Sequence, residues 1–99
     1  MAKYFLSNKA VEDLSTIWEY TFEVWSESQA DKYYKYLIDS CQGIAFQPAI
    51  GKIYPEVSVN LFGCRANRHI IFYRKTSDGE VEIIRILHGR MDLKSKLEE

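Results

Sequence analysis

The sequence predicts an α+β fold: an N-terminal strand and an antiparallel helical hairpin packed on an antiparallel β-sheet, in the order β-α-α-β-β-β. Two runs rich in β-branched residues, 69–75 and 81–92, flank an Asp-Gly turn and predict a β-hairpin. Two earlier segments repeat apolar residues every three or four positions, which is typical of helices that bury one face. A chain of 99 residues has room for one core, so residues 1–99 are expected to form a single domain.

The first strand is predicted at residues 3–6, a short apolar run that suits a sheet edge. Ser7 or Asn8 then supplies the N-cap of a helix that runs to about residue 26. The apolar stripe of this helix consists of Val11, Leu14, Ile17, Trp18, Phe22, Val24 and Trp25. We expect the stripe, with Trp18 at its centre, to pack against the sheet.

The second helix is predicted from Gln29 to about Phe46. Ser28 is its expected N-cap, and Pro48 prevents its continuation. Because only a short break separates it from the first helix, the two must fold back on each other as an antiparallel hairpin.

Residues 49–58 contain glycine and proline and show no periodicity, so they are predicted to form a loop. Strand character resumes at 60–65, and a turn at 66–67 leads into the C-terminal β-hairpin. Residues 93–99 are expected to form one or two frayed helical turns outside the core.

The register of the hairpin follows from placing Thr76 opposite Glu80. The resulting pairs include Phe72 with Ile84, Ile70 with Ile86, Arg74 with Glu82, Tyr73 with Ile83, and Ile71 with Arg85. The face with Phe72 and Ile84 is apolar in its middle, and we expect it to be the core. The opposite face is half polar and is expected to contact partners. In this register the two histidines lie on opposite faces.

Composition narrows the class of protein. An apolar fraction of 46% and a charged fraction of 27% are typical of a globular protein, and the net charge is −1. The basic excess lies in residues 52–75, with five basic and one acidic side chain. Cys41 and Cys64 have no metal or redox spacing, so buried thiols are expected and no cofactor. No apolar run is long enough for a membrane span, and no signal peptide is evident, so a cytoplasmic location is expected.

The chemistry-bearing side chains gather on the predicted strands and their ends. They are Arg65, Arg68, His69, Arg74, Arg85, His88, Arg90 and Asp92. His88 is a weak candidate for a general acid or base, and the alternative is a hydrogen bond to backbone or to Asp92. For Arg85 two roles stay open: an ion pair with a helix carboxylate such as Glu19 or Glu23, or an exposed binding role.

The order and spacing of these segments resemble the RelE/ParE superfamily of type II toxins over nearly the whole chain. Two segments are most similar to the ParE branch: Asp13-Leu14-x-x-Ile17-Trp18-x-Tyr20, and Arg85-Ile-Leu-His88-x-Arg90-Met91-Asp92. The resemblance implies a cytoplasmic bacterial toxin in a hetero-oligomer with its cognate antitoxin, and a role in plasmid stabilisation.

Two targets are implied by the two branches. The ParE branch acts on DNA gyrase, and the RelE branch cuts messenger RNA on the ribosome with a basic cluster and a C-terminal Tyr or His. Arg65 and Arg90 match such basic positions, but no tyrosine follows Tyr73, and Asp92 would repel an RNA phosphate. The sequence therefore favours a gyrase inhibitor that works by protein contact. A ribonuclease, or a non-toxic relic that still binds antitoxin, is the alternative.

The candidate residues fall into three roles: gyrase contact, antitoxin contact and catalysis. The gyrase-contact candidates are Arg90, Met91 and Asp92, and the antitoxin-contact candidates are Arg68, Tyr73, Arg74 and Arg85. The weak catalytic candidates are His88, Arg65 and Arg90. No metal site, membrane contact or sequence-specific nucleic-acid binding is expected.

Overall fold

A computed structural model describes residues 3–90 and 93–97. Its elements are β1 (Tyr4–Leu6), α1 (Asn8–Val24), α2 (Glu27–Phe46), a 3-10 turn (Pro48–Ile50), β2 (Lys52–Ile53), β3 (Phe62–Ala66), β4 (His69–Lys75), β5 (Val81–His88) and α3 (Leu93–Leu97). The strands form one sheet in the order β1-β5-β4-β3-β2. The predicted α+β class is confirmed. The sheet is mixed rather than purely antiparallel, because β1 pairs in parallel with β5, and the segment predicted as a loop contains the short strand β2.

Both long helices begin at serine caps. The Ser7 hydroxyl accepts the backbone N–H of Ala10 at 3.0 Å, as predicted for the first helix. The second helix begins earlier than expected, because Ser26 has an extended backbone and accepts the N–H of Gln29 at 3.1 Å. Ser26, and not Ser28, is therefore its N-cap.

A β-bulge divides the hairpin of β4 and β5 into two registers. Near the turn, Arg74 lies opposite Glu82 and Tyr73 opposite Ile83, as predicted. Ile84 then has no partner, and the next pair is Phe72 with Arg85. Every later pair is shifted by one residue.

The shifted register brings His69 opposite His88 at the far end of the hairpin. The expectation that the two histidines lie on opposite faces was wrong. An extra residue in one strand moves all following side chains to the other face, and no periodicity on either strand marks the insertion.

The sheet buries apolar side chains on both faces. The helix-side cluster consists of Ala10, Leu14, Leu37, Cys41, Ile44, Ala66, Ile71, Tyr73, Val81, Ile83 and Ile86. The cluster on the opposite face consists of Leu61, Ile70, Phe72 and Leu87, with Tyr54, Val57, Ile84 and Leu97 packed around it. Phe72 and Ile84 therefore lie on the face away from the helices, contrary to expectation. Finding an apolar face of the sheet could not tell which face packs on the helices, because both faces of the sheet are apolar.

The C-terminal helix α3 belongs to this second layer. Leu97 packs against the cluster of Leu61 and Phe72, and the carbonyl of Lys96 accepts the Arg85 Nη1–H at 2.8 Å. The expectation that the tail lies outside the core was therefore wrong for this helix.

Much of the apolar stripe on α1 is exposed. Only Ala10 and Leu14 of α1 are buried in the described structure, whereas Phe22 is 47% and Trp25 72% exposed. Trp18 is half-buried, stacks on Phe22, and donates its indole N–H to Asp31 of α2 at 3.0 Å. Trp18 therefore stabilises the contact between α1 and α2 rather than the helix–sheet interface. The end of the helical hairpin next to the α1–α2 turn has a broad exposed apolar surface.

Candidate functional site: a groove between the helical hairpin and the sheet

A groove of about 660 Å³ lies between the helical hairpin and one end of the sheet. It is lined by Thr16, Ile17, Tyr20, Thr21, Trp25, Gln29, Tyr33, Asn67, Arg68, His69, His88 and Arg90. We call these residues the groove. The lining combines side chains from α1 and α2 with residues at the ends of β4 and β5.

The helical wall of the groove is apolar and aromatic. Tyr20 and Trp25 are 64% and 72% exposed, and Ile17 and Tyr33 lie deeper. The apolar spacing of α1 predicted Ile17 and Trp25 in the core, and no pattern marked Tyr20 or Tyr33 as site residues. The available signal was the aromatic content of 14% of the chain, since large aromatic side chains are seldom all enclosed in a small domain.

The floor of the groove holds two adjacent histidines. The rings of His69 and His88 lie 5.4 Å apart in an edge-on arrangement. The Tyr33 hydroxyl lies 2.7 Å from His69 Nδ1, and the backbone N–H of Arg90 donates to His88 Nδ1 at 3.1 Å. The bulge at Ile84 is what brings these rings to the same face.

The electrostatics of the floor keep His69 neutral near pH 7. Burial and the neighbouring His88 lower the pKa of His69 to about 4, and the Asp13 carboxylate acts in the opposite direction. Burial raises the pKa of the Tyr33 hydroxyl. At neutral pH the Tyr33–His69 pair is therefore an uncharged hydrogen bond.

Three exposed arginines surround this floor: Arg65, Arg68 and Arg90. Arg65 donates its Nε–H to the carbonyl of Asn67 at 3.2 Å, and its guanidinium packs against Gly89, so that a β-carbon there would lie 3.2 Å away. Asn67 has φ of 59°, a left-handed turn conformation that asparagine tolerates. Within residues 3–90 and 93–97 none of the three arginines has a salt bridge. Among these residues the groove therefore ends in positive charge without a paired carboxylate.

The structure brings the three weak catalytic candidates together. Arg65 packs on Gly89, which lies between His88 and Arg90, so all three candidates meet at this end of the sheet. Among the gyrase-contact candidates, Arg90 is exposed beside the groove. Met91 and Asp92 lie outside the described residues.

The antitoxin-contact candidates are divided by the structure. Arg68 lines the groove, and Arg74 is half-buried at the other end of β4, where it donates to the Ser58 hydroxyl at 2.6 Å. Tyr73 is fully buried and donates its hydroxyl to the carbonyl of Pro48 at 2.6 Å, and Arg85 is only 8% exposed. We correct the expectation of partner contacts for Tyr73 and Arg85, because their side chains have almost no accessible surface.

The remaining side-chain chemistry is limited. No cluster of three or more His, Cys, Asp or Glu with metal-binding geometry occurs among the described residues. Burial raises the pKa of the Cys41 thiol to about 12 and also raises that of Cys64, so neither is a reactive thiolate. No helix in the part of the chain that the structure describes is long and apolar enough to cross a membrane.

Known proteins resemble this chain along nearly its whole length. A family model described as ParE toxin of the type II toxin–antitoxin system parDE matches residues 4–93. Toxin ParE1 of Mycobacterium tuberculosis is 33% identical over 96 residues, which cover 97% of this chain and 98% of that protein. Toxin ParE1 of Caulobacter vibrioides is 34% identical over 97 residues, covering 98% of this chain and 99% of that protein.

A solved structure shows the same fold. It is described as a chromosomal ParDE TA system from P. aeruginosa, and it superposes with a TM-score of 0.77 over 89% of this chain and 96% of that chain, at 17% identity. With the match of the family model and these relatives, the chain belongs to the ParE toxin family of type II toxin–antitoxin systems.

Proposed function

We propose that this protein is a toxin that inhibits DNA gyrase by protein–protein contact in the cytoplasm and is neutralised when a cognate antitoxin binds the groove. The single observation that supports antitoxin binding is the groove itself. It combines an exposed aromatic wall with exposed arginines at one end. Such a surface suits an amphipathic helix, which presents apolar residues to the wall and charged residues to the rim. The resulting complex is a toxin–antitoxin hetero-oligomer.

The state of the groove side chains supports protein contact over RNA cleavage. A general acid needs a proton that it can donate at neutral pH. His69 is neutral there, because its pKa is lowered to about 4, and the pKa of Tyr33 is raised. His88 already uses Nδ1 to accept the Arg90 N–H. Gyrase inhibition requires only a contact surface, for which Arg90 and its neighbours in sequence are the candidates.

A ribosome-dependent ribonuclease is the second candidate function. The observation that favours it is that the Arg65 guanidinium packs against Gly89, between His88 and Arg90, so that the three residues lie at one end of the sheet. Such a group can stabilise a phosphate transition state and move a proton.

The test of the target uses purified toxin in two assays. We expect the toxin to block supercoiling by gyrase and to accumulate cleaved DNA, while messenger RNA on ribosomes stays intact. His88→Ala should leave gyrase inhibition nearly unchanged, whereas an acid or base would contribute roughly a hundredfold or more to cleavage. Messenger RNA cleavage that His88→Ala abolishes, with supercoiling untouched, would establish the ribonuclease instead.

The test of neutralisation uses the product of the neighbouring reading frame as antitoxin. Tyr20→Arg places a cation on the apolar wall of the groove and should weaken the complex strongly. Tyr34→Arg is the matched control, because Tyr34 is 42% exposed on α2 and does not line the groove. Equal affinities of the two variants would refute docking in the groove.

A further inference from the structure

We propose that the sheet end of the groove is a carboxylate-binding subsite, which takes one aspartate or glutamate side chain from the partner helix. The subsite consists of Arg68, His69, His88 and Arg90, and we call these four residues the basic end. The proposal rests on the proposed function, since it takes the occupant of the groove to be a helix of the antitoxin. It adds which chemical group of that helix the toxin recognises, and where.

Hydrogen bonds at Nδ1 leave the Nε2 atoms of both histidines to face a ligand. The Tyr33 hydroxyl lies 2.7 Å from His69 Nδ1 and can donate its proton there. The backbone N–H of Arg90 likewise occupies His88 Nδ1. With Nδ1 occupied in each ring, Nε2 is the nitrogen left to donate an N–H to a ligand. Both imidazoles offer an N–H, and neither offers a free acceptor.

The two arginines add cations that no acidic side chain neutralises within the described residues. Arg68 and Arg90 are exposed and make no salt bridge within residues 3–90 and 93–97. None of the twelve residues that line the groove is acidic. The Asp13 carboxylate lies close enough to influence His69, but Arg85 binds both of its oxygens. The basic end is therefore rich in donors, and no carboxylate is paired with its arginines in the part of the chain that the structure describes.

The shape of the groove selects a protein carboxylate over an RNA phosphate as the anion. The basic end continues directly into an apolar wall that includes Ile17, Tyr20 and Trp25. An amphipathic helix can satisfy both parts at once, with apolar residues along the wall and an acid in one terminal turn. A nucleic-acid strand would bring a negative charge with every phosphate, and only one end of this groove is cationic.

The test is a set of double-mutant cycles between the toxin and the antitoxin from the neighbouring reading frame. Each Asp and Glu in the C-terminal half of the antitoxin is changed to Asn or Gln, and the Kd is measured by titration calorimetry. The toxin is used in its natural form and as Arg68→Gln and Arg90→Gln. We expect one acidic residue whose neutralisation weakens binding roughly tenfold or more to natural toxin. The same change should have little effect with Arg68→Gln or Arg90→Gln.

Lys32→Gln is the matched control, because Lys32 is an exposed cation on α2 that does not line the groove and is not an antitoxin-contact candidate. With this variant the acidic residue should keep its full effect. Purely additive effects for every acidic residue would overturn the carboxylate subsite. If Tyr20→Arg still weakens the complex in that case, groove docking stands and only the subsite fails.

The alternative anion is tested with a fluorescent 12-nucleotide single-stranded RNA. We expect no binding that depends on the basic end. RNA binding that both Arg68→Gln and Arg90→Gln abolish, without any coupled acidic residue in the antitoxin, would overturn the proposal in favour of a phosphate site.

Discussion

Arg85 of β5 binds both carboxylate oxygens of Asp13 in α1, with Nε–Oδ2 and Nη2–Oδ1 distances of 2.8 and 2.9 Å. The pair is almost enclosed, since the side chains are 10% and 13% exposed. Asp13 Oδ2 also accepts the backbone N–H of Ile86 at 3.0 Å, at a point where β1 has ended and the edge of β5 is open. Of the two roles open for Arg85, the ion pair is the one found, with Asp13 in place of Glu19 or Glu23.

The first prediction concerns this ion pair. Asp13→Ala should lower the free energy of unfolding by roughly 3–5 kcal/mol, because it removes both charge-assisted hydrogen bonds that Asp13 makes to the buried Arg85 guanidinium. Urea denaturation measures the change. Asp39→Ala is the control: it removes the Lys35–Asp39 pair, whose side chains are 76% and 65% exposed, and should cost less than about 1 kcal/mol. Similar losses in the two variants would contradict the structural role of Asp13.

The second prediction compares two glycines. A β-carbon at Gly51 would overlap the Tyr73 hydroxyl, which donates to the Pro48 carbonyl. Gly51→Ala should therefore destabilise the protein by about 1–3 kcal/mol. Gly43 lies in α2 with open space around its position, so Gly43→Ala should stabilise by about 0.5–1 kcal/mol. Thermal unfolding of both variants measures the difference, and a shift in the same direction would be unexpected.

The third prediction tests the bulge. Ile83 is fully buried under the helices, whereas Ile84 is half-buried on the opposite face. Ile83→Ala should lower the free energy of unfolding by about 2–5 kcal/mol. Ile84→Ala should lower it clearly less, because solvent and the side chains around Ile84 can fill part of the cavity that the truncation leaves. Chemical denaturation of the two variants decides. A larger loss of stability for Ile84→Ala than for Ile83→Ala would contradict the bulge and support the register without a bulge that the sequence predicts.

The fourth prediction concerns pH. In the folded protein the pKa of His69 is lowered to about 4 from 6.5. As the pH falls from 6.5 toward 4, the unfolded chain binds a proton that the folded protein does not, so stability decreases by up to roughly 1.4 kcal/mol per pH unit. Above pH 6.5 both states are neutral at this residue, and the stabilisation is fully present.

His69→Gln should remove the pH dependence that His69 contributes to stability. The free energies of unfolding at pH 7 and pH 5 should therefore differ less than in the natural protein. Arg68→Gln serves as the control, because it leaves the imidazole in place. NMR titration gives the pKa directly. A His69 midpoint near 6.5 would show that the ring is not enclosed as described.

The sequence alone determined the type and order of the main elements. Serine before a periodic apolar segment predicts a helix start, and Ser7 is indeed the cap of α1. An Asp-Gly turn between β-branched runs predicts the hairpin and its register near the turn, where Arg74 faces Glu82. These features depend on neighbours in the chain, so local patterns contain the information.

Only the tertiary structure decided where the register shifts and therefore what the groove contains. The Ser7 hydroxyl donates to the Ile84 carbonyl and Asp13 accepts the Ile86 N–H, across 77 and 73 positions of sequence. These contacts hold the backbone on both sides of the bulge, which turns His88 toward His69. Because both faces of β4 are apolar, no alternation of polar and apolar residues could reveal the shift. The site was therefore set by contacts between distant segments, which local patterns do not record.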